Sequence, residues 1–135
     1  MTIIIPDPPG AGGAPTGQLE LDVQRRLTTA FISTQPIHVA LIPRVKVRQP
    51  GGGFNWVEQS PRDVQTMRFI EPPKPPNPVV TADGIQREVE FVLLGTWDAI
   101  IGKYDVFDVS GFAWEVIQLY HFNGWERRAA VARYG

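Results

Sequence analysis

The sequence contains no cysteine, which removes disulfide frameworks, thiolate nucleophiles and cysteine-based zinc sites together. It also lacks an excess of either charge, since 13 basic and 14 acidic residues leave a net charge of -1. A protein held on nucleic acid by surplus positive charge is thereby excluded. No apolar run approaches the roughly 20 residues of a membrane-spanning helix. The start, Met1-Thr2-Ile3-Ile4-Ile5-Pro6, has no basic segment ahead of its apolar triplet, unlike a signal peptide. A soluble protein is expected.

Catalytic residue types are equally sparse. The two histidines, His38 and His121, fall on predicted strands without the HxH, HxxxH or HExxH spacing of a metal or protease site. Ser33, Ser60 and Ser110 have no GxSxG context. Gly95 to Lys103 has the wrong spacing for a phosphate loop, and Tyr104 stands where a Ser or Thr is needed. Asp105 and Asp108 lie three apart on a predicted strand, so they face opposite sides and cannot act as an acid/base pair. No enzyme, metal or cofactor is expected.

Glycine and proline are abundant, 13 of each among 135 residues. That load leaves little room for long helices and excludes a helical bundle. The 39 Leu, Ile, Val and Phe residues are ample for a core, and the length suits one domain. Residues 1–17 concentrate Gly and Pro and read as an extended, flexible arm carrying Ile3, Ile4 and Ile5 as an apolar hook. The single domain is expected over residues 18–135.

Leu19, Val23, Leu27 and Phe31 recur at helical spacing, so one short helix is expected over 18–33. From Ile37 the period becomes two: Ile37, Val39, Leu41, Val45 and Val47 point one way, and His38, Arg44, Lys46 and Arg48 the other. Pro43 interrupts this stretch. Pro50-Gly51-Gly52-Gly53 reverses the chain into Phe54-Asn55-Trp56-Val57, a hairpin with a glycine tip. Val64–Ile70 reads as a further strand, as does Arg87–Leu94 with Val89, Phe91 and Leu93 inward and Glu88 and Glu90 outward.

Between these, Glu71 to Pro78 holds five prolines in eight residues and favours a stiff polyproline strut. Tyr104–Val109, the Ser110-Gly111 turn and Phe112–Phe122 form a second hairpin, followed by an Asn123-Gly124 turn and a strand over Glu126–Tyr134. The Phe112–Phe122 strand is apolar on both faces, which calls for cover from another sheet or another subunit. The sum is a mainly β protein, a small barrel or sandwich of about six or seven strands.

Four tryptophans in so short a chain point to packing and binding surfaces. Trp114 is assigned to the core, whereas Trp56 and Trp125 lie beside turns and are interface candidates. Residues 36–70 carry a charge of +3 and residues 71–110 one of -4. Arg44, Lys46 and Arg48 form a basic stripe, with Arg127 and Arg128 a second cluster. These basic groups could meet phosphate or the Glu88 and Glu90 carboxylates of a neighbouring copy.

Two blocks of residues carry a resemblance. One contains Phe31, Ile42-Pro43-Arg44, Gln49-Pro50-Gly51-Gly52-Gly53-Phe54-Asn55-Trp56, Pro61-Arg62 and Gln65-Thr66-Met67-Arg68-Phe69-Ile70. The other runs from Asp98-Ala99-Ile100-Ile101-Gly102-Lys103-Tyr104-Asp105 through Gly111-Phe112-Ala113-Trp114-Glu115-Val116 to Asn123-Gly124-Trp125-Glu126-Arg127-Arg128-Ala129. Over about residues 28–135 the chain resembles the head-to-tail stopper, or head-closure, proteins of long-tailed phages of mycobacteria and relatives.

The resemblance implies a virion protein of the phage neck, assembled in the host cytoplasm. It implies a homo-oligomeric ring, hexamer or dodecamer, beneath the portal and adaptor, closing the DNA-filled capsid and offering the docking surface for the tail. Its partners would be adaptor or portal on one side and tail terminator or tail tube on the other, with double-stranded DNA in the channel. Channel-loop candidates by the same resemblance are Pro72, Pro73, Lys74, Pro75, Pro76 and Asn77, or Gly51, Gly52 and Gly53. The alternative within virion proteins is a tail terminator ring, which calls for a longer helix packed on a sheet. A peptide- or carbohydrate-binding β-domain using Trp56 and Trp125 is the reading outside them.

Overall fold

The computed structural model describes residues 13–72 and 78–134. Over these residues the chain forms one helix, α1 (Gly13–Ser33), and ten strands. The strands are β1 (Ile37–Val39), β2 (Arg44–Arg48), β3 (Phe54–Glu58), β4 (Gln65–Ile70), β5 (Pro78–Val80), β6 (Gln86–Glu88), β7 (Phe91–Thr96), β8 (Val106–Val109), β9 (Phe112–Leu119) and β10 (Glu126–Arg133). Six of them form one antiparallel sheet in the order β1-β4-β7-β10-β9-β8, while β2–β3 and β5–β6 are separate two-stranded ribbons.

The six-stranded sheet curls until its edges meet. Just past β1, the Ile42 N–H donates to the Val106 carbonyl at 2.8 Å, and the Val106 N–H donates to the Ile42 carbonyl at 3.0 Å. This bridge joins the β1 edge to the β8 edge and makes a nearly closed barrel, which leaves few unpaired backbone groups on its rim. The mainly β class and the barrel are as the sequence implies. The strands are more numerous because two alternating stretches are broken and Pro78–Val80 adds a short strand that the sequence did not suggest. Pro43 cannot donate to a ladder, so the stretch from Ile37 splits into β1 and β2. The stretch from Arg87 splits at Val89–Glu90 into β6 and β7.

Alternation then sorts the side chains. Val39, Leu41, Met67, Leu93, Phe107, Trp114, Val116, Ala129 and Val131 pack together as the main core. Phe69 sits among aromatic rings, 5.1 Å from Trp114 and 5.3 Å from Phe91 between centroids. A second cluster of Val89, Ile117, Ala130 and Ala132, with Val79 and Tyr120 against it, occupies the opposite face of β9 and β10. The cover that β9 requires on its second face therefore comes from the β5–β6 region of the same chain. Ser110 and Gly111 both take positive φ, 56° and 80°, the tight turn whose twist suits the β8–β9 hairpin.

Helix α1 has 21 residues, longer than the composition suggests, and it takes in residues 13–17 of the expected arm. Pro15 falls in its first turn, where a missing N–H removes no helical bond. The helix lies on β4 and β7, turning Thr28 and Ile32 inward. Arg68 of β4 closes its C-terminal end, donating to the Phe31 carbonyl at 2.8 Å with the guanidinium 3.9 Å from the Phe31 ring. A cation there satisfies an orphan carbonyl and complements the helix dipole.

Candidate functional site

The most organised polar feature lies where β2 leaves the barrel seam. Arg44 is buried, and its guanidinium donates to Glu115 Oε2 of β9 at 2.7 Å and to the Tyr104 carbonyl at 2.7 Å. The same Glu115 oxygen accepts the Ala82 N–H, between β5 and β6, at 3.1 Å. Trp56 of β3 donates its indole N–H to the Ala82 carbonyl at 3.1 Å and meets the Tyr104 ring edge-on at 5.1 Å. Tyr104 itself holds φ 71°, a strained value for a bulky residue. One carboxylate thus ties the barrel, the base of the β2–β3 ribbon and the β5–β6 turn together. A buried charge needs such partners.

Beyond this anchor the ribbon stands clear. Its register pairs Val45 with Val57, Lys46 with Trp56, Val47 with Asn55 and Arg48 with Phe54. Alternation puts Arg44, Lys46, Arg48, Phe54 and Trp56 on one face and Val45, Val47, Asn55 and Val57 on the other. The three valines are exposed. At the tip, Gly51, Gly52 and Gly53 take φ of 88°, 104° and 81°, which only glycine adopts at little cost.

A second apolar surface lies on α1. Leu19, Val23, Leu27 and Phe31 are 66%, 44%, 58% and 46% exposed, so the stripe that marks the helix in the sequence faces outward. At its N-terminal end an open groove of about 480 Å³ is lined by Leu19, Leu21, Val23 and Trp125 among others. Trp97, which the sequence did not single out, is exposed and carries the Arg25 guanidinium 3.9 Å from its ring.

The remaining sequence candidates scatter. Arg44 leaves the basic stripe by burial, so Lys46 and Arg48 are its exposed members, with Lys46 Nζ 4.8 Å from the Phe54 ring. Trp56 is half-buried and held by Ala82 and Tyr104, and Trp125 is half-buried beside α1. Glu88 is exposed, whereas Glu90 pairs with Arg133 of the same chain at 3.3 Å. Arg127 donates to the Trp97 carbonyl at 3.2 Å and stacks on Phe122. Arg128 pairs with Glu126. Pro72 is half-buried, while Pro73, Lys74, Pro75, Pro76, Asn77, Ile3, Ile4 and Ile5 lie outside the described residues.

A second internal pair joins Arg62 to Asp105 at 3.0 Å, and Asp105 also accepts the Gly102 N–H at 2.9 Å. Among the described residues no three His, Asp or Glu side chains gather as a metal site. His38 is exposed, 3.3 Å from the Thr66 hydroxyl. Burial pushes the Tyr120 phenol above its ordinary pKa, with Arg128 opposing the rise.

Sequence reading missed Glu115. The available signal was a lone carboxylate inside a strand apolar on both faces, which can be buried only with a cation beside it. What the arrangement offers chemically is contact: two separate apolar surfaces and a projecting ribbon. No family model matches the sequence, and no curated protein matches it significantly.

Proposed function

We propose that this chain is a structural protein of a phage neck, the head-to-tail stopper that forms a ring beneath the portal and adaptor. In that role it closes the DNA-filled capsid, retains the genome and receives the tail. The observation that carries the reading is a small barrel with apolar surfaces left open on α1 and on the β2–β3 ribbon, as a subunit built for contact with neighbours requires. The residue resemblance over about 28–135 supplies the biological setting. Of the two channel-loop candidates, the glycine tip at Gly51–Gly53 lies wholly within the described residues. Several such tips converging on one axis would obstruct a duplex sterically, without a basic patch.

One observation favours the tail terminator reading: α1 is a 21-residue helix packed on β4 and β7. Deleting the gene from the producing phage and imaging the particles separates the two. A stopper gives filled heads that leak their DNA beside separate finished tails. Tails of uncontrolled length would establish the terminator instead, and intact virions would remove both readings.

A further inference from the structure

We infer that Ile3, Ile4 and Ile5 dock in the open groove at the N-terminal end of α1 on their own chain. The inference goes beyond the neck reading and stands apart from it, because it needs neither a second copy nor a tail.

An apolar wall with a gap in it defines the groove. Leu19, Leu21 and Val23 of α1 line it together with Trp125, around a volume of about 480 Å³. Leu19 and Val23 are among the exposed apolar side chains of the molecule, and covering them removes apolar surface from water. Gly17 belongs to the same wall, inside a helix, where glycine weakens helical order. A Cβ at Gly17 would meet nothing within 4 Å, so no internal packing calls for its absence. The missing side chain leaves room for an occupant to approach the helix backbone.

Chain length and position select the occupant. Residues 1–12 lie outside the described residues and join α1 at Gly13, at the end of the helix that carries the groove. Ile5 precedes Gly13 by eight residues, and at about 3.1 Å per residue an extended chain of that length reaches about 25 Å. Val23 is ten residues beyond Gly13, about 15 Å along the helix axis. The isoleucines therefore reach the whole groove once the chain reverses, which Gly10 and Gly12 permit.

The tether also decides between this chain and a neighbour. A short flexible link holds its end at an effective concentration of about millimolar. In dilute solution the arm of the same chain therefore fills the groove ahead of another copy's arm. Docking covers Leu19 and Val23 and leaves Leu27, Phe31 and the ribbon valines open.

The absence of cysteine makes the test clean. The full-length Ile4→Cys/Val23→Cys variant is oxidised at low concentration beside an Ile4→Cys/Gln18→Cys control. Gln18 is exposed and nearer the arm along the chain. At 100° per residue it points away from Glu20 and Gln24, which border the groove. The Val23 pair should close an intramolecular disulfide about tenfold faster than the control pair, read as a faster-running monomer on a non-reducing gel. Gly17→Leu puts a side chain into the groove from a site with open space around it, and should remove that advantage. Ile4→Cys/Leu19→Cys supplies the same comparison should Val23→Cys lower the helical signal in the far ultraviolet. Equal behaviour of the groove and control pairs, linked or unlinked, overturns the inference. So does a disulfide that forms only between molecules, which assigns the groove to another copy's arm, and so does an advantage that survives Gly17→Leu.

Discussion

Glu115 and Arg44 hold each other in place by necessity. Each charge is buried, and removing either partner leaves the other without compensation. Glu115→Gln should lower stability by about 3–5 kcal/mol, read as a lower midpoint in urea. Replacing both with apolar residues of similar size, as Arg44→Met with Glu115→Leu, should recover most of the loss, because no orphan charge remains.

Tyr120 gives a pH signature. Burial raises its pKa above 10.0, against the pull of Arg128, so the folded chain keeps a proton that the unfolded chain gives up. The stability this contributes is complete below the ordinary tyrosine value and lost as pH rises through the folded value. The part of the phenolate absorbance that Tyr120→Phe removes should therefore titrate above 10.0 in the native protein. Arg128→Gln should move that midpoint further up, since the opposing cation is gone.

At the scale of elements, β7 shows how tightly the barrel is filled. A Cβ on Gly95 would sit 2.8 Å from Ala99 Cβ, closer than two carbons tolerate, with Met67 Cε in contact at 3.4 Å. Gly95→Ala should cost about 1–3 kcal/mol through overpacking, measured by thermal unfolding.

Period-two alternation made β4, β8, β9 and β10 legible in the sequence, because hairpin turns such as Ser110-Gly111 bounded them and burial rewarded the pattern. The breaks within the longer stretches were less visible. Pro43 marked one of them, but Val89–Glu90 carries no turn residue, and the chain bends there because Val89 joins the second cluster while Leu93 enters the barrel. The helix was legible and its orientation was not. Leu19, Val23, Leu27 and Phe31 form the widest apolar stripe, yet the sheet is met by Thr28 and Ile32. A hydrophobic period reports that a face is apolar without saying what lies against it. The Arg44–Glu115 pair stayed hidden for a related reason, since the two residues are 71 positions apart and only folding brings them together.

The whole molecule divides into a firm barrel and a ribbon fixed at one end. Strands β7 and β10 are hydrogen-bonded to neighbours on both sides and largely buried on both faces. The seam between Ile42 and Val106 rests on two hydrogen bonds. Amide exchange of the isolated chain should follow this ranking. Protection should be greatest at Val92, Leu93, Ala129 and Val131, lower at Ile42 and Val106, and least at Val47 and Asn55 of the ribbon. Protection at the ribbon equal to that of β10 would mean it is not the loosely held element described.

The sheet order has a consequence for synthesis. Strand β10 follows every other strand along the chain, yet it lies between β7 and β9 in the middle of the sheet. A ribosome that has delivered everything up to residue 125 has made β7 and β9 with nothing to join them. Each then offers an open, apolar edge to other nascent chains, a hazard for aggregation. The barrel is therefore assembled after translation of residues 126–133, and a message cut short before them should yield insoluble product rather than a smaller working protein.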